Sequence, residues 1–330
     1  MFKTVLVHQA GGPEVMTLVD QDPGAPGAGQ IRLRQTAIGV NFGDIHKRRG
    51  SAPPHAMAAI GLPFTPGLEA AGIVEAVGPG VTEFRVGDRV AYAVASMLGG
   101  YAAVRLFEAR LAHKLPDSVA DADAAALLYK GVTVHGMIRS CYRIEPGHVV
   151  LLHAAAGGIG TVLTRWAKYL GATIIGTVSR DDKVQRALIN GCDHVIVTGR
   201  EDFAARTLDI TDGVGVDVVY DGVGQEVFLK SFDCLRKYGT MVSFGQSSGM
   251  VKPFDPVMLQ HKGHYLTKFS GSTYNADVSE YQQRLGDVLD AIDQGILPRG
   301  THATYALDDV VAAHRDIEAR RTIGSVVLMP

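Results

Sequence analysis

The chain has 330 residues, enough for two domains. Hydrophobic residues make up 46% and charged residues 20%, the balance of a soluble globular protein with a full core rather than a disordered chain. The formal net charge of −2 gives no basic field for nucleic acid or an anionic membrane, and no apolar run is long enough to span a bilayer.

The N-terminus, MFKTVLVHQAGGPE, lacks the long apolar core of a secretory signal and runs straight into a strand pattern, so the cytoplasm is the expected location. Residues 1–125 read as β-rich. TVLVH, QIRLRQTAIGV, AAGIVEAV and DRVAYAV are short runs, several alternating in polarity, and GGP, PGAPGAG, GPG and VGD punctuate them as turns. An antiparallel, barrel-like unit is expected there, with PGAPGAG as a loop inside it.

Past Ala120 the period changes. DADAAALLYKGVTVHGMI reads as a helix. Six strand candidates follow in order: VVLLH, ATIIGTV, DHVIV, VDVVYDGVG, GTMVSFGQ and HYLTKFS. Helices are expected between them, among them DDKVQRALIN and QEVFLKSFDCLRKY. Strands alternating with helices over short crossovers make a doubly wound parallel sheet, and the fold class is α/β. SEYQQRLGDVLDAIDQGIL and LDDVVAAHRDIEARR then read as amphipathic helices, and SVVLMP as a closing strand. Cys141, Cys192 and Cys234 lie far apart, which favours core packing over a disulfide framework or metal cluster.

The most informative stretch is GHVVLLHAAAGGIG at 147–160. A buried strand, a glycine turn and the helix TVLTRWAKYLGA make a βα unit that binds a dinucleotide. Ala156, Gly157, Gly158 and Ile159 lie where N–H groups at a helix start hold a pyrophosphate. Ala155 replaces the first glycine of the usual GxGxxG pattern. The second strand ends in Val178 and Ser179 instead of an acid, and Arg180 and Lys183 follow. A hydroxyl and two cations suit a ribose 2′-phosphate, so NADPH is favoured over NADH. Asp181 and Asp182 argue the other way, as acids in the first turn of a solvated helix.

Almost end to end, the chain resembles the quinone oxidoreductases, the zinc-free ζ-crystallin-like branch of the medium-chain dehydrogenase/reductase superfamily. HQAGGPEVM, AIGVNFGD, PGLEAAGIVEAVGPGV, KGVTVHGMI, HAAAGGIG, MVSFGQSSG and RTIGSVVLMP carry the resemblance. It implies a GroES-like β-barrel catalytic domain over 1–125, to which 266–330 returns, and a Rossmann NADPH-binding domain over 126–265. The zinc dehydrogenases of the superfamily carry a catalytic Cys where this chain has Asn41, and a His where it has Leu68. Neither is a zinc ligand, and the four close Cys of a structural zinc lobe are missing, so no metal is expected. His153 and His135 read as core or hydrogen-bonded residues.

The resemblance implies NADPH-dependent hydride transfer to a quinone, a conjugated acceptor that needs positioning more than a strong acid. Enone or alkenal double-bond reduction is the enzymatic alternative, and single-stranded nucleic-acid binding is the non-enzymatic one. By the same resemblance NFGD lies beside the nicotinamide. Asn41 offers its amide to acceptor or cofactor, Phe42 packs on the cofactor and Asp44 orders a loop; a turn amide and a core ring are the bland readings of the first two. Lys130 and Thr133 in YKGVT fall near the pyrophosphate and ribose, against a plain surface lysine. Asp221 and Gly222 end the fourth strand, and Phe244, Gly245 and Ser247 end the fifth, at the sheet's ligand-binding edge; Asp221 equally suits a helix cap.

Several positions depart from the relatives. His46 and Ala52 stand where the family often has pocket tyrosines, which opens the site to a bulkier or anionic acceptor. Thr198 replaces a tyrosine near the adenine, and Lys268 replaces an arginine. Arg320 or Arg321 reaches the cofactor phosphates in relatives. A homodimer through the last strands of the parallel sheet is also expected.

Overall fold

The computed structural model describes residues 1–51, 57, 60–300, 302–319, 321–322 and 324–330. They form two compact units, Met1–Val132 with Asn275–Pro330, and Thr133–Tyr274.

The first unit is built on strand β3 (Gln30–Val40), whose apolar positions alternate into a core. Ile31, Leu33, Ile38 and Val40 are buried. An antiparallel neighbour, β4 (Glu69–Val77), runs along most of β3. On the other side β3 meets two shorter strands in turn, β6 (Val104–Glu108) and then β15 (Ser325–Met329). Register shifts at Arg32/Leu33 and Gln35/Ala37 bend the strand between those partners. Strands β5 (Arg89–Ala93), β7 (His113–Lys114) and β14 (His302–Ala306) complete a seven-stranded sheet, antiparallel apart from the β14–β15 pair. A separate ribbon joins β1 (Phe2–Val7) to β2 (Met16–Gln21). The expected strands of this region are present; β2, β6, β7 and β14 are additional.

Helix α1 (Phe42–Arg48) follows β3 without a break. Asn41, in extended conformation, is its N-cap, and the Asp44 carboxylate at N3 accepts from the Asn41 backbone N–H at 2.9 Å. NFGD is therefore a helix start, which corrects the expected loop. Helix α2 (Asp121–Gly136) ends in a π-turn over Met137–Cys141. Helix α6 (Val278–Asp293) buries Tyr281, Leu285, Val288, Leu289 and Ile292, one stripe at helical spacing. Helix α7 (Val310–Glu318) precedes β15.

The second unit holds a six-stranded, wholly parallel sheet. Its strands are β8 (Val149–Leu152), β9 (Thr173–Val178), β10 (His194–Val197), β11 (Val216–Asp221), β12 (Leu235–Ser243) and β13 (Tyr265–Lys268). Their spatial order is β10-β9-β8-β11-β12-β13, so the winding reverses between β8 and β11. Helices α3 (Gly158–Tyr169), α4 (Val184–Asn190) and α5 (Phe203–Ile210) lie on the crossovers. The core runs through Leu151, Ile175, Ile196, Phe203, Val219, Phe228 and Met241.

One element differs. QEVFLKSFDCLRKY, expected as a helix, holds turns to Leu229, a 3-10 turn over Lys230–Cys234 and then the first residues of β12. Pairing of Leu235 with Val216 on β11 takes the tail of the segment into the sheet. Tertiary pairing overrides a helical period there.

Candidate functional site

In the first unit the end of β3, the start of β4 and one turn of α2 bring three polar side chains together away from water. Glu69 is fully buried, and Asn41 and Lys130 are each 7% exposed. Asn41 Nδ2 donates to Glu69 Oε1 at 2.7 Å. Lys130 Nζ donates to Asn41 Oδ1 at 3.1 Å and lies 3.5 Å from Glu69 Oε1. The Tyr129 backbone N–H donates to Glu69 Oε2 at 2.6 Å. Every partner of Glu69 is a donor, the arrangement a carboxylate requires. Burial pushes its pKa up, while Lys130, Asn41 and the Tyr129 N–H pull it back. Gly39 on β3 makes room for this, because a Cβ there would overlap the Ala125 carbonyl and the Glu69 carboxylate.

A second buried string ends on Asp44, which also accepts from the Gly67 N–H at 3.0 Å. The Tyr101 hydroxyl meets the Asp44 side chain and lies 2.9 Å from His314 Nε2. His314 Nδ1 faces the Arg48 guanidinium at 3.0 Å, and Arg48, fully buried, pairs with Glu318. Arginine only donates, so Nδ1 is the acceptor and Nε2 carries the hydrogen. Burial, with Arg48 beside it, lowers His314 to about 3. Desolvation raises Asp44, against the pull of Lys47 and its own hydrogen bonds. Phe42, next to this network, is 53% exposed. His46 is half-buried, with Nδ1 3.1 Å from Ser51 Oγ. Ala52 and Arg320 lie outside the described residues.

In the second unit the turn after β8 is tight. Ala154 takes φ 55°, and Gly157 caps α3 in extended conformation. A Cβ on Gly160 would lie 2.7 Å from the Ala155 carbonyl oxygen and closer still to that of Ala154, so only glycine lets the helix start against the turn. Ala156, Gly158 and Ile159 are half-buried and Gly157 is exposed. This leaves the first N–H groups of a twelve-residue helix open to an anion. Thr133, half-buried, is three residues past Lys130 on α2.

The ends of β11, β12 and β13 form the other half of this edge. Phe244 and Gly245 both donate their N–H to the Asp221 carbonyl, at 2.8 and 3.3 Å, and Ser247 N–H donates to that of Gly222 at 3.3 Å. Gly222 and Gly245 are in backbone contact: a Cβ on Gly245 would come 2.6 Å from the Gly222 oxygen, and one on Gly222 would strike the Phe244 ring. Asp221 Oδ1 accepts from the Val223 and Gly224 N–H groups at 2.7 and 3.0 Å, a local turn cap rather than a helix cap. Its Oδ2 is buried with no partner among the described residues. Burial raises this carboxyl. Lys268 Nζ donates to Ser243 Oγ at 3.1 Å.

At the end of β9, Ser179 and Arg180 are exposed and Lys183 is half-buried. Arg180 grips Asp182 through two hydrogen bonds of 3.1 and 2.9 Å. Arg200, two residues past Thr198, pairs with Asp181 at 3.2 Å. Each acid that counted against a 2′-phosphate is thus held by an arginine. Thr198 uses its hydroxyl on the Val178 carbonyl at 3.3 Å. Arg321 is paired with Asp316 at 2.5 Å. His153 is neutral, lowered by burial to about 3, and its ring bonds Thr177 and Ser231. Burial raises Cys192 to about 11 and Cys234 to about 12, so both are inert packing thiols.

Glu69, Tyr101, His314, Arg48 and Arg200 are additions to the residues singled out from sequence. Glu69 had a signal, as a charged residue opening the apolar run EAAGIV. The Arg48–His314–Tyr101 string had none, since its members are scattered along the chain.

Residues 27–117 match the family described as alcohol dehydrogenase GroES-like domain, and residues 158–290 match zinc-binding dehydrogenase. A 2-haloacrylate reductase of a Burkholderia species is 40% identical over all of this chain and 99% of its own length. A quinone oxidoreductase of Pseudomonas aeruginosa is 41% identical, with both chains covered in full. The crystal structure of Escherichia coli quinone oxidoreductase complexed with NADPH superposes with a TM-score of 0.93 at 39% identity, covering 99% of this chain and all of that one. With a GroES-like domain and a 3-2-1-4-5-6 parallel sheet, the fold is that of a medium-chain dehydrogenase/reductase. Within that class, the chain belongs to the quinone oxidoreductases.

Zinc, named in one of those family descriptions, does not fit this chain. Asn41 and Leu68 offer no thiolate or imidazole, Glu69 is already committed to three donors, and the Lys130 ammonium occupies the group with a positive charge. NADPH does fit: a glycine turn with free helix N–H groups, an unpartnered buried Asp221 oxygen and two arginines, Arg180 after β9 and Arg200 after β10, match a pyrophosphate, a hydroxyl and a phosphate in turn.

Proposed function

We propose that the protein is an NADPH-dependent quinone oxidoreductase that works without a metal. The observation that carries this reading is the Lys130 ammonium bound to Asn41 and Glu69 where the zinc dehydrogenases hold a cation-binding set. Bound NADPH supplies the hydride. The protein's own tasks are binding, orientation and hydrogen bonding to the oxygen that gains charge. Asn41 donates its amide N–H to that oxygen, Asp44 fixes the start of α1 that carries it, and exposed Phe42 packs on the nicotinamide.

Residues 126–265 act as the cofactor domain, and 1–125 with 266–330 as the catalytic domain. Ala156–Ile159 hold the pyrophosphate, and Lys130 and Thr133, three residues apart on α2, serve the pyrophosphate and ribose. Asp221, Gly222, Phe244, Gly245, Ser247 and Lys268 line the nicotinamide half. Ser179, Arg180, Lys183 and Thr198 take the adenosine 2′-phosphate, and Arg320 reaches the phosphates. His46 and Ala52 favour a bulkier or anionic acceptor. The test is steady-state oxidation of NADPH and NADH with a panel of quinones and an alkenal, with and without EDTA. Quinone-dependent NADPH consumption that ignores EDTA is expected; absence of quinone turnover overturns the reading.

A second reading, reduction of an activated carbon–carbon double bond, draws on the similarity to 2-haloacrylate reductase. Turnover of the alkenal alone would move the protein there. Single-stranded nucleic-acid binding fits the charge of −2 less well, and RNA titration at physiological salt tests it.

We also infer a cytoplasmic homodimer. No helix among the described residues is long and apolar enough to cross a membrane. β13 is an edge strand of the parallel sheet with Tyr265 and Leu266 exposed, a surface suited to pairing. A monomer by light scattering at micromolar concentration would refute the dimer.

A further inference from the structure

The two ends of a side-chain amide look alike in shape, and their assignment usually rests on neighbours. At Asn41 the neighbours leave one choice. Lys130 only donates, so the atom 3.1 Å from it is the amide oxygen. Ionised Glu69 only accepts, so the atom 2.7 Å from it is the nitrogen. A flipped amide would set N–H against ammonium and oxygen against carboxylate. Nδ2 has two hydrogens. One goes to Glu69, and the other has no protein acceptor among the described residues.

We propose that Glu69 is a positioning residue for the reduction: with Lys130 it clamps the Asn41 amide so that its one uncommitted N–H is aimed at the acceptor oxygen. Lys130 also polarises that N–H, because its charge sits on the amide oxygen and draws electron density away from the nitrogen. The inference rests on the quinone reductase reading and adds to it how a neutral amide is made a better donor.

The step balances without any further reactant. The acceptor receives a hydride, two electrons and a proton, from the reduced nicotinamide. A new bond to hydrogen forms, and an electron pair of the conjugated system moves onto a carbonyl oxygen. That oxygen becomes an anion and takes the Asn41 N–H, and water then delivers the proton that completes the product. Bound NADPH would supply the hydride by breaking a C–H bond of its reduced nicotinamide ring and would be left as NADP+. The Asn41 hydrogen bond strengthens as charge develops, so the clamp acts on kcat more than on ground-state binding.

The experiment is a double-mutant cycle on the full-length protein: Glu69→Gln, Asn41→Ala and the pair. NADPH affinity is read separately, by quenching of protein fluorescence. Glu69→Gln is expected to lower kcat with a quinone by about 10- to 100-fold. The quinone KM should change by less than about 3-fold and the NADPH Kd by less than about 2-fold. In the Asn41→Ala background, Glu69→Gln should cost less than about 2-fold, because the group it positions is gone. Effects that multiply in the double variant would overturn the proposal and leave Glu69 a structural residue. So would a Glu69→Gln kcat within about 2-fold of the parent while Asn41→Ala is impaired.

If Glu69→Gln no longer binds NADPH, Glu69→Asp replaces it. The shorter side chain keeps the charge but withdraws from the amide, and an unchanged kcat there also overturns the proposal. A parent enzyme that binds NADPH yet reduces no quinone, or an Asn41→Ala variant with full activity, is a distinct failure: it removes the underlying reading itself.

Discussion

The two units present their polar groups in opposite ways. Around Asn41, Glu69 and Lys130 the polar groups are two buried charges and an amide bonded to one another. Along the carboxyl edge of the parallel sheet they are backbone N–H groups and glycines, with the strong charges of Arg180 and Lys183 left after β9 and that of Arg200 after β10, all partly or wholly solvated. The first arrangement suits charge that appears during reaction, which must be met by groups already fixed in place. The second suits a permanently charged ligand, which brings its own field and needs room and donors.

If this contrast holds, substitutions in the two regions should differ in kind. The largest effect belongs to Lys130→Met. It leaves the Glu69 carboxylate buried without its cation, and such a loss costs about 3–5 kcal/mol. Denaturant unfolding should show it, and a variant as stable as the parent would break the comparison. Next comes Gly160→Val. Its side chain meets the Ala154 and Ala155 carbonyls, and overpacking of this kind costs about 1–3 kcal/mol. Here the loss should also appear as NADPH affinity weakened by at least about 10-fold, measured by fluorescence titration.

A pH titration sharpens the comparison, because among the described residues each unit buries one neutral histidine. His314 and His153 are both lowered to about 3, chiefly by burial. Between that value and the unfolded pKa of about 6.5 the unfolded chain binds more protons, so stability is full above about pH 6.5 and falls as pH drops toward 3. Each histidine contributes a slope of at most about 1.4 kcal/mol per pH unit. Urea midpoints at pH 7, 6 and 5 should fall in that order, and His314→Asn should flatten the dependence.

The smallest effect is Arg180→Ala. Arg180 is exposed and its bonds to Asp182 are solvated, so stability should not change measurably. Preference for NADPH over NADH should fall by about 10-fold, one charged phosphate contact. An unchanged cofactor preference would show that Arg200 or Lys183 carries the phosphate instead.

The sequence was most informative where one local rule is enough. The glycine turn, the apolar β8 and the amphipathic α3 each signal themselves within a dozen residues. The helix start at Asn41–Asp44 was read as a loop, although an Asn followed at the third position by an acid is the spacing of a capping box. QEVFLKSFDCLRKY was misread because its outcome is decided elsewhere: Gly224 turns the chain at φ 89°, and β11 and β13 claim the strand that follows. The buried polar strings were the least legible. Arg48, Tyr101 and His314 are ordinary residues in their own segments, and only the packing of α1, α7 and the loop that carries Tyr101 makes them neighbours. Asn41 and Lys130 were singled out by resemblance, but their partnership through Glu69 depends on a glycine at position 39 that carries no chemical signal of its own.

The Lys130 clamp also bears on how such a site changes over generations. Installing a metal would require a thiol at Asn41, an imidazole at Leu68 and removal of the ammonium. Asn41→Cys alone exposes the Glu69–Lys130 pair to an unsatisfied gap; removing Lys130 alone strands a buried carboxylate. An imidazole at 68 would have to fit where a fully buried leucine now packs. Each single step loses stability before any metal can be held, so the route to a metal site is at least three substitutions wide. A chain wired this way gains a Lewis acid only by passing through variants that fold less well.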